Sequence, residues 1–211
     1  MLEILIVIFG LSLVWASVTN MLGTIIKILV VQGIILFGIT VLKTTQFNWL
    51  SFVTIALETL IFKAVLIPWF INDTIKHNHM RREVEASVSN FFSLALMSLI
   101  FILSFALAAA APAWSVKVFP LEFGIAFATI LKGVFIIIAN KKLITQLMGY
   151  LIMENGIFML SLSAGSDLPY IVSLGVSLDI MLSVLIAVLF IKRIRSTFDD
   201  DDAPEILRED I

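Results

Sequence analysis

Five ionisable residues stand in stretches that are otherwise apolar: Glu58 and Lys63 in one, Lys132 in a second, Glu154 in a third and Asp179 in a fourth. On insertion scales, each charged side chain at the centre of a bilayer costs roughly 2.5–3.5 kcal/mol. Left unpaired, the five would cost about 12–18 kcal/mol, comparable to the whole stability of a domain. They must therefore meet one another, or water. Burial disfavours the charged form of acids and bases alike, and a nearby opposite charge restores it. Carboxyl and ammonium groups held together in such a setting can exchange protons near neutral pH when a neighbour's charge changes. Arginine cannot, because it stays protonated. Both mid-stretch bases, Lys63 and Lys132, are lysines, which fits proton handling better than static pairing.

The stretch from Asn140 to Asn155 centres on Gly149-Tyr150-Leu151-Ile152-Met153-Glu154-Asn155-Gly156. Glu154 falls in the middle of the apolar run Leu147–Ala164, and Asn155 follows it directly. Two adjacent polar side chains face an environment that should reject them. The plainer alternatives are structural. Glu58 and Lys63 could form a local pair, although a spacing of five puts them about 140° apart on an α-helix. Lys132 could simply neutralise Glu154 across a helix interface.

The elements that must position these residues are set by composition. The chain has 211 residues, 60% hydrophobic and 14% charged, with a mean hydropathy of +1.08. Soluble domains carry about 25% charged residues, so the sequence predicts an all-α integral membrane protein. A net charge of −2 gives nucleic acid no basic surface to bind, and the absence of cysteine leaves the chain no iron–sulfur cluster or disulfide of its own. His77 and His79 share one polar loop and could form at most a weak surface metal site. No cofactor is expected in this chain.

Seven apolar segments approach the roughly 20 residues that a membrane span needs. They run over Leu2–Thr19, Leu22–Leu42, Leu50–Ile71, Phe91–Ala111, Leu121–Ile138, Leu147–Ala164 and Tyr170–Ile191. Helices are expected because they satisfy their backbone groups internally in lipid. Met1–Val18 lacks a basic leading region and reads as the first span rather than a cleaved signal. Lys76, Arg81, Arg82, Lys141, Lys142, Lys192, Arg193 and Arg195 fall on one side of a seven-span chain, against Lys43 and Lys117 on the other. That asymmetry predicts the N-terminus outside and the C-terminus in the cytoplasm. Glu3, Lys27 and Glu122 lie nearer helix ends and are expected to be interfacial or snorkelling. The tail from Asp199 to Ile211 is acidic and is expected to be solvated.

Counted from the predicted helix starts, Glu58, Lys63, Lys132, Glu154 and Asp179 all lie within one or two turns of the midplane, at 1.5 Å per residue. A row parallel to the membrane suggests lateral proton movement or electrostatic relay. An internal repeat is a further possibility. Gln32-Gly33-Ile34 resembles Asn155-Gly156-Ile157, and Leu57-Glu58 resembles Leu178-Asp179, at offsets of 123 and 121 residues. Chance likeness among apolar helices is the competing explanation.

From Phe119 onward the chain resembles the small three-helix NuoK-like subunit of complex I and of Mrp-type antiporters. Pro120-Leu121-Glu122-Phe123-Gly124 is similar to that family's opening, Asn140-Lys141-Lys142-Leu143 to its basic loop, and Leu147-Met148-Gly149-Tyr150-Leu151-Ile152-Met153-Glu154-Asn155 to its second helix. The family usually carries a glutamate where Leu151 stands, whereas here the acid is three residues on, at Glu154. Its second membrane glutamate falls on Asp179. With four preceding helices and Glu154-Asn155-Gly156 in the sixth, the chain resembles the hydrogenase 4 component E family, from the membrane arm of formate hydrogenlyase and related group 4 nickel–iron hydrogenases, over the C-terminal part by motif and over the rest mainly by helix count.

The resemblance implies three regions: a four-helix membrane segment over 1–112, a NuoK-like three-helix segment over 113–196, and an acidic cytoplasmic tail over 197–211. It also implies a multi-pass subunit of the inner (cytoplasmic) membrane, surrounded by lipid, between antiporter-like membrane subunits and a redox module. Nickel–iron and iron–sulfur centres would lie in those partner subunits. The proton relay would run through Glu154, Asp179, Glu58, Lys132 and Lys63. Two other readings stay open: a stand-alone secondary transporter of a cation or proton, and a passive scaffold. Nothing in the sequence supplies a catalytic centre, and its prolines fall at helix ends, in loops or in the tail.

Overall fold

The computed structural model describes residues 1–19, 21–43, 57–69, 89–110, 119–140 and 143–163, with 53 and 71. All of these belong to one compact unit, Met1–Val176. They are almost entirely helical: α1 over Leu2–Val18, α2 over Leu22–Lys43, a π-helix over Leu57–Leu66, α3 over Asn90–Ala110, α4 over Pro120–Ala139 and α5 over Leu143–Ser163. Among the described residues, α2, α3 and α4 are long and apolar enough to cross a membrane. The predicted seventh span, Tyr170–Ile191, lies outside the described residues, as do the basic loop residues between the third and fourth spans.

Sequence chemistry accounts for the helix ends. Pro120 opens α4 at its first position, where a missing N–H is tolerated. Asn140 ends α4 in an extended conformation and donates its side-chain amide to the Ile136 carbonyl at 2.8 Å. α5 begins four residues before the predicted Leu147, because Leu143-Ile144-Thr145-Gln146 already has helical geometry. Gln146 then donates back to the Asn140 carbonyl at 2.9 Å.

α4 and α5 make the most extensive helix pair. Glycines permit it: a Cβ on Gly133 would lie 2.6 Å from the Gly149 carbonyl oxygen, and one on Gly156 would lie 2.8 Å from the Ile130 nitrogen. Small residues at such a crossing let two backbones touch, which is how helices associate in lipid without a hydrophobic drive. α1 and α2 form a second hairpin, α1 also packs on α3 and α4, and α2 packs on α5 and the π-helix. Helices from both sides of the predicted boundary at 112/113 thus share one bundle.

Paired contacts fix the directions. Gln32 meets Asn155 and, further along both chains, Lys43 meets Leu162, so α2 and α5 run parallel. Ser93 meets Lys132 while Phe105 lies against Gly124, so α3 and α4 run antiparallel.

Candidate functional site

Glu154 is one residue from the midpoint of α5, and its side chain is 2% exposed. The Lys63 ammonium, from the π-helix, stands 3.6 Å from its Oε1. The same ammonium lies 5.0 Å from the centroid of Phe158, one turn beyond Glu154 on the same face of α5. A carboxylate and an aromatic face thus bracket one buried cation. A cation above a ring face is attracted by the ring quadrupole, more strongly when desolvated.

The π-helix bears on how the third predicted span carries its charges. Its hydrogen-bond repeat is five residues rather than four, so positions 58 and 63 are one repeat apart along the backbone. The 140° separation expected for an α-helix does not apply there. The side chain of Glu58 lies outside the described residues, and so does Asp179.

Lys132 takes a different partner from the one considered in sequence. Its neighbour Gly133 abuts Met153, so its backbone is level with Glu154. Its Nζ, however, donates to the Ser93 hydroxyl at 3.2 Å, in the first turn of α3, and lies 5.1 Å from the Phe135 ring centroid. The α4–α5 glycine contact turns the Lys132 side of α4 toward α3. It is Lys63, not Lys132, that meets Glu154.

Glu122, in the first turn of α4, is paired inside the bundle. It is 3% exposed, and the Lys43 ammonium binds its Oε2. Lys43 also donates to the Leu162 carbonyl at 2.6 Å and sits 4.5 Å from the Phe119 ring centroid. A cation at the last turn of α5 complements that helix's C-terminal dipole. The eight residues from Glu154 to Leu162 correspond to about 12 Å of rise. Glu122 therefore lies about that far along the bundle from Glu154, apart from the row of five. Sequence reasoning missed Glu122 because it is the third residue of its helix. The available signal was that the end of the second span and the start of the fifth lie on one side with opposite charges.

A neutral ladder adjoins the deeper pair. The Asn155 amide donates to Gln32 Oε1 at 3.0 Å, Gln32 donates to the Ser12 hydroxyl at 2.9 Å, and Ser12 donates to the Phe9 carbonyl at 2.6 Å. All three side chains are buried. Asn155, conspicuous in the sequence as a second polar residue at depth, thus ties α5 to α2 and α1.

The chain has no cysteine, and among the described residues no group of three His, Asp or Glu side chains could share a metal ion. No protein-family model matches the chain, and no solved structure matches it. Among curated proteins, it is 25% identical over 190 residues to the uncharacterized protein Rv0085 of Mycobacterium tuberculosis (strain ATCC 25618 / H37Rv). That match covers 88% of this chain and 84% of the other. An alignment this long includes helices on both sides of residue 112.

Proposed function

We propose that this chain is a cofactor-free membrane-arm subunit of a complex I-like redox complex, of the group 4 nickel–iron hydrogenase type. It relays protons or charge among its buried carboxylates and lysines. The observation that carries the reading is the Lys63–Glu154 pair: both side chains buried, midway along α5, with 3.6 Å between nitrogen and oxygen. That separation is within ion-pair distance, so each group feels the other's charge directly.

A proton can pass from the Lys63 ammonium to the Glu154 carboxylate, leaving a neutral amine and a neutral acid. Total charge is unchanged, so the two forms differ mainly in their dipole. A charge arriving on a neighbouring group biases one form over the other. Lys132, level with Glu154 but turned to α3, offers the next basic group along the membrane plane. Glu58 and Asp179 complete the proposed route. The full architecture in this reading has seven spans in the inner membrane, with the N-terminus outside and the C-terminus cytoplasmic. Antiporter-like subunits flank it, and a redox module carries the nickel–iron and iron–sulfur centres.

Purification of the tagged chain from native membranes in mild detergent, with mass spectrometry and iron and nickel assays, tests this directly. Co-purification of antiporter-like subunits with an iron–sulfur or nickel module is the expected outcome. A chain that emerges alone and metal-free, and moves cations in liposomes, would replace the reading with a stand-alone transporter.

A further inference from the structure

The bundle builds one three-group arrangement twice. Near the midpoint of α5, the Lys63 ammonium meets Glu154 and lies 5.0 Å from the Phe158 ring centroid. Where α2 ends, the Lys43 ammonium meets Glu122 and lies 4.5 Å from the Phe119 ring centroid. In both, the acid and the ring belong to one helix or its cap, and the lysine comes from another element. Glu154 and Phe158 are four residues apart on α5, while Phe119, three residues before Glu122, caps α4. Spacings of three and four bring such side chains together on one face. Both acids are shut away from solvent, with side chains 2% and 3% exposed.

The lysines differ in access. The Lys63 side chain is 5% exposed and that of Lys43 18%. Lys43 is also the last residue of α2, a helix of membrane-spanning length, so its open side lies where water begins. Its ammonium stands between a buried carboxylate and solvent. In that position a lysine can release a proton to water and become a neutral amine, which an arginine cannot do. A proton carried on the Glu122 carboxyl then moves to the amine, restoring the ammonium and the carboxylate. The reverse sequence takes a proton in.

The Leu162 carbonyl, which Lys43 also binds at 2.6 Å, is eight residues beyond Glu154. The two pairs therefore stand about 12 Å apart along the bundle. At that separation and an effective dielectric of about 20, one unit of charge shifts a proton equilibrium about tenfold. A proton gained or lost at one pair is thus felt at the other with no hydrogen bond between them. We propose that Lys43 and Glu122 form a second proton-exchange site, the solvent-facing terminus of the relay, where Lys43 passes protons to and from water. This assignment rests on the relay reading above, in whose orientation the terminus faces outside.

Two measurements on the full chain in its native complex test the proposal. The first reads access and does not involve turnover. The chain has no cysteine of its own, so Lys43→Cys and Lys63→Cys each carry one thiol to react with a hydrophilic thiol reagent in native membranes. Lys43→Cys should react many-fold faster; equal rates would remove the solvent connection. The second reads exchange. Lys43→Arg keeps the charge and its partners but cannot give up the proton. The thermal midpoint in detergent should stay near that of the wild type, while protons translocated per redox turnover in proteoliposomes fall several-fold. A structural clamp predicts the opposite, that a variant keeping the midpoint also keeps the proton yield. An unchanged yield in Lys43→Arg, with Glu154→Gln still abolishing coupling in the same assay, would overturn this terminus and leave the relay standing. An unchanged yield in both would remove the relay as well.

Discussion

Lys63 and Glu154 approach to 3.6 Å inside the bundle, and the ring of Phe158 closes the other side of the ammonium at 5.0 Å. The pair joins a π-helix to the centre of α5, two elements far apart in sequence. Removing one partner strands a charge in a low-dielectric site, whereas removing both leaves two neutral groups.

Breaking the pair from one side should therefore be worse than dissolving it. Lys63→Met is expected to destabilise the protein by about 3–5 kcal/mol, and Lys63→Met/Glu154→Gln by clearly less. Chemical unfolding in detergent, arranged as a double-mutant cycle, reads the coupling. Additive effects would mean that the pair carries no interaction. Glu154→Gln alone should leave assembly intact and abolish proton translocation coupled to the host complex's redox reaction. Coupling that persists would remove Glu154 from the relay.

Arginine separates proton exchange from electrostatics. Lys63→Arg and Lys132→Arg keep the positive charge but cannot release it. If protons pass through these lysines, each variant should lose coupled translocation while remaining in the complex. Translocation at the wild-type rate in both would leave a purely electrostatic relay.

The Lys43–Glu122 pair ties the end of α2 to the start of α4 and the last turn of α5. Glu122→Gln should lower the thermal midpoint in detergent, because Lys43 keeps the Leu162 carbonyl but loses its carboxylate. The effect is expected to be about 1–3 kcal/mol, the range for leaving a buried polar group without its partner. Lys43→Met/Glu122→Gln should recover part of it. A midpoint unchanged in Glu122→Gln would make the clamp incidental.

Backbone contact between α4 and α5 predicts a position-specific response to methyl groups. Gly133→Ala and Gly156→Ala place a Cβ within 3.0 Å of the partner helix backbone and should each destabilise by about 1–3 kcal/mol. Gly23→Ala meets nothing within 4 Å, and should stabilise by up to about 1 kcal/mol through helix propensity. Thermal unfolding of the three variants side by side checks the order.

Much of the helical framework was legible in the sequence because hydrophobic runs of span length leave the backbone few alternatives to a helix. The bounds of Leu22–Leu42, Phe91–Ala111 and Leu121–Ile138 lie within one residue of α2, α3 and α4 at each end. Glu154 and Asn155 were conspicuous because polar groups at depth demand partners, whatever those partners are. The third span was different. A change from a four- to a five-residue hydrogen-bond repeat alters the backbone register without altering the apolar composition, so nothing in the sequence announced it.

Partner choice belongs to the tertiary structure. Lys132 and Lys63 were equally available to Glu154 by depth, and depth is all that counting residues along a span supplies. Rotation about each helix axis decides between them, and that rotation is set by Gly133 and Gly156 meeting α5 and α4 backbone and by Gln32 meeting Asn155. The place of Glu122 near a helix start is legible in sequence, whereas its burial is not, because it comes from the ends of α2 and α5 beside it. The sequence by itself determined that charges lie within apolar helices and must be paired. Only packing, through contacts between residues as distant as Gln32 and Asn155, decided which charge meets which.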